Sequence, residues 1–468
     1  MIGLEIHCQL TNLQSKLFCS CKANYRSFEP NTNVCPVCIG LPGSLPRLNQ
    51  KAVEKATMIA MALNCKTPQK LGFFRKNYFY PDLPKNFQIT QLNVYGPSSI
   101  GEQGKVAIEE KDIRIRRIQL EEDPGRLIYE GASERTQITL VDYNRAGTPL
   151  VEIVTEPDFE NPRQVRIFLN VLSDLLENLG VSDPALEGAM RADANVSIEG
   201  GPRVEIKNIG SFYDLEKAIH FELTRQQSLK ERGMPTSQET RHWDDKRKIT
   251  ISSRTKEEDE DYRYIHEGDV PWIVMDSESL ERWKKNMPES ISSKKDRYVT
   301  KYGIPPQVAD VLSSDKYYSD LFEQAHNESN AKEIANIITT DLMGLVDTRE
   351  KREQSKLSPK HLSDLTELIQ SNKITRSSAK NALQEIVRTG KPTSEIISQT
   401  SLGKISDESE IAKIIDEIIS QEPTAVKQAK ENPQTINFLV GKVMQKTKGN
   451  ADPAITLRLL KEKISSHE

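Results

Sequence analysis

Leu4-Glu5-Ile6-His7-Cys8-Gln9-Leu10 alternates strictly between apolar and polar side chains, and a period of two marks a β-strand with one buried face. Glu5, His7 and Gln9 then share one face. The pattern returns in Arg191-Ala192-Asp193-Ala194-Asn195-Val196-Ser197-Ile198, whose polar face carries Arg191, Asp193, Asn195 and Ser197. Val204-Glu205-Ile206-Lys207 adds Glu205 and Lys207, and Ile118-Gln119-Leu120-Glu121-Glu122-Asp123 adds Gln119 and Glu121 before two further acids. One such face alone is most simply a solvated surface. Four of them, mixing carboxylates, amides, a histidine and cations, look less like a charged solvation coat.

Around these strands, residues 1–290 mix short alternations with a few helices and hold most of the Gly-Pro turns, which reads as α+β. One helix is announced by Asn49 as N-cap, with Val53, Ala56, Ala60 and Leu63 on one face. A second opens at Asn161-Pro162 and runs through Val165, Phe168, Leu169, Leu172 and Leu176 to Gly180. Asn286 to Ser293 reads as a linker. From Asp296 to about Ser398 the pattern is helical, polar and poor in glycine, and a second break falls at Ser401-Leu402-Gly403. The expected organisation is a mixed-sheet domain over 1–290, an all-helical domain over 291–402 and a small helical tail over 403–468. In the tail a helix from Ile436 to Lys448 and another opening at Asp452-Pro453 are expected.

Length and composition agree with two or three domains, since 468 residues exceed what one core usually organises. A net charge of −4 argues against a protein that is basic throughout, though not against a local basic surface. No apolar run approaches the ~20 residues of a membrane span, and Met1-Ile2-Gly3-Leu4 enters patterned sequence without a signal segment. A soluble, cytoplasmic protein is expected.

If the polar faces converge, the candidate catalytic residues are Glu5, His7, Glu121, Glu122, Arg191, Asp193, Asn195 and Lys207. Glu5, Glu121, Glu122 and Glu205 are hard oxygen ligands suited to Mg²⁺ beside a phosphate, with His7 as a further ligand or proton-transfer group. Arg191 and Lys207 would balance a triphosphate. The chain lacks G-x-x-x-x-G-K-[ST], the kinase motif set, a G-x-S-x-G elbow and a convincing Cys–His pair, so a nucleotide site here is of another kind and no hydrolase nucleophile is evident.

Four of the six cysteines crowd into one loop. Cys19-x-Cys21 and Cys35-x-x-Cys38 are two chelating pairs of the kind a closed tetrahedral zinc site uses. Thiolates favour zinc over calcium or magnesium. The alternatives are four unligated core residues, or an iron–sulfur cluster, whose common spacings the Cys-x-Cys start does not fit. A closed site leaves no open position for substrate, so such a zinc would fold the loop. Cys8 and Cys65 read as core.

The chain resembles the B subunits of the aspartyl/glutamyl-tRNA amidotransferases. Gly3-Leu4-Glu5-Ile6-His7, Cys35-Pro36-Val37-Cys38 running into Gly40-Leu41-Pro42-Gly43, and Lys76-Asn77-Tyr78-Phe79-Tyr80-Pro81-Asp82-Leu83-Pro84-Lys85 carry the likeness. Leu120-Glu121-Glu122-Asp123, Asp142 to Leu150, Glu187 to Ser197, Glu205-Ile206-Lys207-Asn208 and Phe438 to Met444 continue it into the tail. The resemblance implies an α+β cradle with a kinase-like site, then helical parts that help hold tRNA. It implies that ATP with Mg²⁺ phosphorylates the side-chain carboxylate of Glu-tRNA(Gln) or Asp-tRNA(Asn), and that ammonia then displaces phosphate. It also implies two partners, an amidase (the A subunit of such complexes) that releases ammonia from glutamine, and a small stabilising protein (the C subunit). The absence of an insertion before the helical region fits the B type rather than the longer related archaeal protein.

Gln119 stands where the family commonly has His, so no proton-transfer role is assigned there, and residues 250–270 depart from the family pattern and receive no catalytic role. Lys442, Lys446 and Lys448, followed by Arg458, Lys461 and Lys463, read without the resemblance as a solvated helix face. With it they are candidate contacts to tRNA phosphates. A zinc-containing RNA-binding scaffold without chemistry is the competing reading, and a free-standing small-molecule kinase a third. The polar strand faces discriminate, because a scaffold has no need of clustered acids beside cations.

Overall fold

A computed structural model describes residues 1–93, 98–129, 138–254, 262–399, 408–431, 435–447 and 451–466. The chain divides into two units, Met1–Ser290 and Ile291–Glu468.

In the first unit the strands are β1 Ile2–Gln9, β2 Lys70–Leu71, β3 Phe74–Asn77, β4 Phe87–Thr90, β5 Gly101–Ile108, β6 Lys111–Glu122, β7 Arg126–Tyr129 and β8 Thr139–Asp142. They continue as β9 Pro149–Thr155, β10 Met190–Val196, β11 Val204–Lys207, β12 Glu239–Asp244, β13 Ile249–Arg254, β14 Ile265–His266 and β15 Ile273–Val274. Eight of these form one mixed sheet in the order β13-β12-β11-β10-β1-β9-β6-β5, with only β11 and β12 parallel. This is the α+β class that the alternation implies. The opening strand lies in the middle, between β10 and β9, with Glu5 opposite Asp193 and His7 opposite both Arg191 and Glu152. Three of the alternating strands, β11, β10 and β1, are thus adjacent, and the fourth, β6, lies one strand further along across β9, with their polar faces on one side of the sheet.

The other face of the sheet is apolar. Leu4, Ile6, Leu120, Ile153, Ala194 and Ile206 are buried in one core with helices α1 Gln50–Ala62, α2 Pro162–Asn178 and α3 Phe212–Glu231. Helix α2 starts where Asn161 caps it, its side chain accepting from the Gln164 amide at 3.0 Å with Pro162 in the first turn, and it buries Val165, Phe168, Leu169, Leu172 and Leu176. The end of α1 approaches β5 so closely that a Cβ on Gly104 would collide with the Cys65 sulfur, so glycine is required there. Smaller sheets, β14-β3-β4, β15-β2 and β7-β8, and helix α4 Ser277–Lys285 complete the unit.

The second unit is helical. Its first part holds α5 Ile291–Thr300, α6 Pro306–Ser314, α7 Lys316–Ala325, α8 Ala331–Asn336, a π-helical turn Ile337–Leu342, α9 Met343–Leu345, α10 Arg349–Gln354, α11 Pro359–Gln370, α12 Arg376–Thr389 and α13 Thr393–Gln399. They share one core built on Tyr298, Phe322, Ile338, Leu365 and Leu383. Helix α5 starts inside the stretch read as a linker, which shortens that linker to 286–290. The tail holds α14 Glu408–Gln421, α15 Pro423–Glu431, α16 Ile436–Lys446 and α17 Pro453–Ser466 around a separate core of Ile411, Ile415, Leu439, Val443 and Leu460. The break expected at Ser401-Leu402-Gly403 lies outside the described residues. Among the described residues no helix is long and apolar enough to cross a membrane.

Candidate active site and metal centre

The polar face of the sheet floors a cavity of about 940 Å³. Glu5 and His7 reach it from β1, Gln119 and Glu121 from β6, Glu152 from β9, Glu205 and Lys207 from β11, and Thr240 from β12. Lys76 from β3, Thr90 from β4, and Tyr262 and Tyr264 line it from outside the eight-stranded sheet.

At its centre the His7 Nε2 lies 3.8 Å from Glu121 Oε1 and 3.9 Å from Glu152 Oε2. One ligand atom from each of the three falls within 4.8 Å of the others, a spacing that fits a single metal ion. Burial pushes the Glu121 carboxyl up to about 7, with Glu152 adding to the rise and His7 and Lys76 opposing it. Burial also works against charge on Glu152, but His7, Arg117 and Lys76 outweigh it and hold that carboxyl below its ordinary range. Two neighbouring acids are thus pushed apart, one poised near neutrality and one firmly ionised. The Thr90 hydroxyl donates to Glu121 at 3.0 Å and fixes its rotamer.

Three cations surround the triad, Arg117 at 3.6 Å from Glu152 and two lysines. The Lys76 ammonium sits 4.5 Å from the centre of the Tyr262 ring. Burial opposes its charge, yet Tyr264, Glu121 and Glu152 raise its pKa. The Lys207 ammonium lies 3.1 Å from Asp193 and 3.4 Å from Glu205. Burial disfavours its charge, but those acids outweigh burial and keep it charged. Glu5 accepts from the Asn195 amide at 3.1 Å.

Of the residues expected to form the site, Glu5, His7, Glu121, Glu205 and Lys207 come together in this cavity, and Asp193 and Asn195 hold Lys207 and Glu5 from the neighbouring strand. Glu122 does not join them. As the next residue along β6 it points the opposite way, accepts from the Ile89 amide at 2.8 Å and pairs with Lys85, both side chains almost wholly buried. Arg191 is opposite His7 in register yet does not line the cavity. It donates instead to the fully buried Asp123 at 3.0 Å, whose other oxygen accepts from Gln9 at 2.6 Å. Burial pushes the Asp123 carboxyl up, but the Arg191 and Arg145 guanidiniums more than offset it and hold the group low. Sequence reasoning missed Glu152, Lys76, Tyr262 and Tyr264. Glu152 had a signal, being the single acid in the apolar run Pro149-Leu150-Val151-Glu152-Ile153-Val154-Thr155.

The sulfurs of Cys19, Cys21, Cys35 and Cys38 lie within 4.8 Å of one another, and none of the six cysteines forms a disulfide. Their chemistry, four thiols converging from two short pairs on one loop, fits zinc. The Cys19 hydrogen bond pulls the Cys38 thiol down to about 5 against burial, with the Lys16 ammonium helping, while Cys19 is correspondingly raised. Cys8 and Cys65 sit elsewhere, and burial pushes their thiols up to about 11 and about 12. Neither has a nucleophile's surroundings.

In the tail, Lys442 on α16 lies 2.8 Å from Glu422, and Lys446 pairs with Glu417. Arg458 and Lys463 on α17 pair with Glu408 and Asp416. Four of the cations expected to meet tRNA phosphates therefore already face carboxylates, whereas Lys461 is exposed and has no ion pair among the described residues, and Lys448 lies outside them.

Residues 1–281 match the family model of the GatB/GatE catalytic domain, and residues 320–464 that of the GatB domain. The chain is 48% identical to the B subunit of the aspartyl/glutamyl-tRNA(Asn/Gln) amidotransferase of Sulfolobus acidocaldarius over 467 residues, 99% of each chain. It is 42% identical to the protein of that name in Thermotoga maritima, over 99% of this chain and 98% of that one, and 44% identical to the one in Methanospirillum hungatei with the same shares.

Proposed function

Because the chain belongs to the family of aspartyl/glutamyl-tRNA(Asn/Gln) amidotransferase B subunits, we propose that the cavity on the polar face of its sheet is where a tRNA-borne carboxylate is activated and amidated. As a member of that family it is part of an enzyme of tRNA-dependent amidation, which disfavours the scaffold reading. The substrates are Glu-tRNA(Gln), Asp-tRNA(Asn) or both. ATP phosphorylates the side-chain carboxylate, since a carboxylate is a poor acceptor for ammonia and an acyl phosphate a good one. Ammonia then displaces phosphate and leaves Gln-tRNA(Gln) or Asn-tRNA(Asn).

The observation that carries this reading is the juxtaposition of His7, Glu121 and Glu152 with the two half-buried ammonium groups of Lys76 and Lys207 in one cavity. Imidazole and carboxylate oxygens suit Mg²⁺, with Glu5 and Glu205 as outer candidates. Bound there, Mg²⁺ would neutralise phosphate charge and align its oxygens. Lys76 and Lys207, held charged by surrounding acids, supply the positive potential that draws a triphosphate and a carboxylate into one space and offsets the charge developing between them. Asp193 and Asn195 position Lys207 and Glu5. Tyr262 and Tyr264 fix the Lys76 head and shield that side from water.

The remaining parts follow the same reading. Zinc on Cys19, Cys21, Cys35 and Cys38 staples the loop next to β1 and takes no part in chemistry. Residues 1–290 are the catalytic domain, 291–402 a helical domain and 403–468 a tRNA-binding tail, a division supported by their three separate cores. Nothing in this chain resembles a glutaminase nucleophile, so an amidase partner, the A subunit, supplies ammonia, and a small C subunit completes a heterotrimer in the cytoplasm. The test is to give the purified complex ATP, glutamine and each misacylated tRNA in turn. Amide-bearing tRNA should form with ATP turnover, and the productive tRNA identifies the substrate. No amide with either tRNA sinks the proposal.

A further inference from the structure

We propose that Lys16 is the built-in counter-charge of the zinc centre, its buried ammonium holding the Cys38 sulfur in its ligand position. The inference rests on the zinc reading above. The Lys16 side chain has no exposed surface, an uncommon state for lysine and a costly one without an anion beside it. Its Nζ donates to the Asn33 carbonyl at 2.9 Å and lies 3.7 Å from the Cys38 sulfur, within reach of an N–H···S contact. Among the described residues no carboxylate forms an ion pair with Lys16, so the anion this ammonium meets is sulfur.

Four thiolates and Zn²⁺ sum to two negative charges, and while Cys19, Cys21 and Cys35 are half-buried, the Cys38 sulfur that Lys16 meets is on the buried side of the site. One ammonium halves that excess and, by donating to one sulfur, weakens that sulfur's electron donation to the metal. A carbonyl alone gives no reason to bury a charge, because a neutral amide would satisfy Asn33 equally well. The backbone also fixes both ends of the contact. The Lys16 amide donates to the Cys21 carbonyl at 2.8 Å, and the Cys35 amide donates to the Cys38 sulfur at 3.1 Å. Gly147, at φ +84°, closes over the pair, where a Cβ would touch both Cys38 and the Lys16 chain at 3.5 Å.

The experiment measures zinc content and chelator-competition affinity of the full chain as wild type, Lys16→Met, Lys16→Gln and Asn144→Ala. Asn144 is the loop control, since its side chain accepts from the Asn33 amide at 2.7 Å and donates to the Glu29 carbonyl at 2.7 Å without carrying charge. Both Lys16 variants should lose about 10–100-fold in zinc affinity, the range for residues that support a ligand. In the cobalt-substituted protein their thiolate-to-metal charge-transfer band should move, while that of Asn144→Ala stays in place. Lys16 variants within about twofold of wild type with an unmoved band overturn the role of Lys16 and leave the zinc reading standing. The same holds if Asn144→Ala reproduces their band shift, or if both Lys16 variants stay unfolded with zinc in excess. A wild-type chain that takes up no zinc overturns the zinc reading and Lys16's role together.

Discussion

Adjacent glutamates on β6 have opposite surroundings. Glu121 faces the cavity beside His7 and Glu152, and Glu122 faces the interior beside Lys85. Glu121→Gln should therefore abolish tRNA-dependent ATP turnover in the assembled complex while leaving thermal unfolding close to wild type. Glu122→Gln strands the Lys85 ammonium in the interior, and breaking one side of a buried pair costs roughly 3–5 kcal/mol, so it should appear first as a large drop in melting temperature. Calorimetry and turnover on both variants separate the two, and matching losses of turnover without destabilisation would contradict the assignment. The split was legible in principle, because strict alternation along a strand cannot put successive residues on one face. Glu152 was obscured for a different reason. Its strand is flanked by β1 and β6 and buried on both faces apart from Glu152 itself, so it reads as an apolar run. Lys76 and the Tyr262-Arg263-Tyr264 segment belong to pieces too short for periodicity to show.

Long helices were the most readable elements, because cap and stripe agree. Asn161, Pro162 and the Val165 to Leu176 face are found on α2 as the spacing implies. The four-residue strand β3 and the two-residue strands carry no such redundancy, and their pairing is set by tertiary contacts. The Cys loop has no regular structure at all, yet its sulfurs converge. Chelation should consequently lower the melting temperature and the turnover of the complex together, and a metal-free chain that keeps both would remove the zinc assignment. At the C-cap of α7 a separate device sets a pH limit. His326 packs with ring centres 4.6 Å from Tyr302 and 4.5 Å from Phe322, and burial lowers its pKa from 6.5, with Glu323 opposing. The unfolded chain then binds this proton more readily than the folded one, so the contribution is full above about pH 6.5 and falls away as pH drops below it. Thermal unfolding of wild type and His326→Phe between about pH 5 and pH 8 should show a steeper acid loss in wild type. Parallel curves would rule the histidine out.

At the scale of the whole chain, the sequence pattern located the α+β part and the helical parts but overstated how much free positive charge the tail carries. Lysines were countable, whereas the carboxylates they meet come from other helices, which no local pattern reveals. Lys442 and Lys446 on α16 face Glu422 and Glu417 near the end of α14. A tRNA phosphate reaching these lysines has to displace a carboxylate, so their net attraction is smaller than their number suggests. Removing residues from 408 onward should still weaken tRNA binding while the unit 1–290 keeps its own core and unfolding transition, and unchanged tRNA affinity would end the tail's assignment. A finer test uses the pairing itself. Glu417→Gln and Glu422→Gln release two ammonium groups without adding a cation, so tRNA affinity should rise. Its dependence on salt should steepen by about 0.9 in the log–log slope for each phosphate newly contacted on duplex. Lys442→Gln should move both quantities the other way. If the acid-to-amide variants leave affinity and slope unchanged, these lysines serve the helix packing of the tail and the RNA is held by another surface.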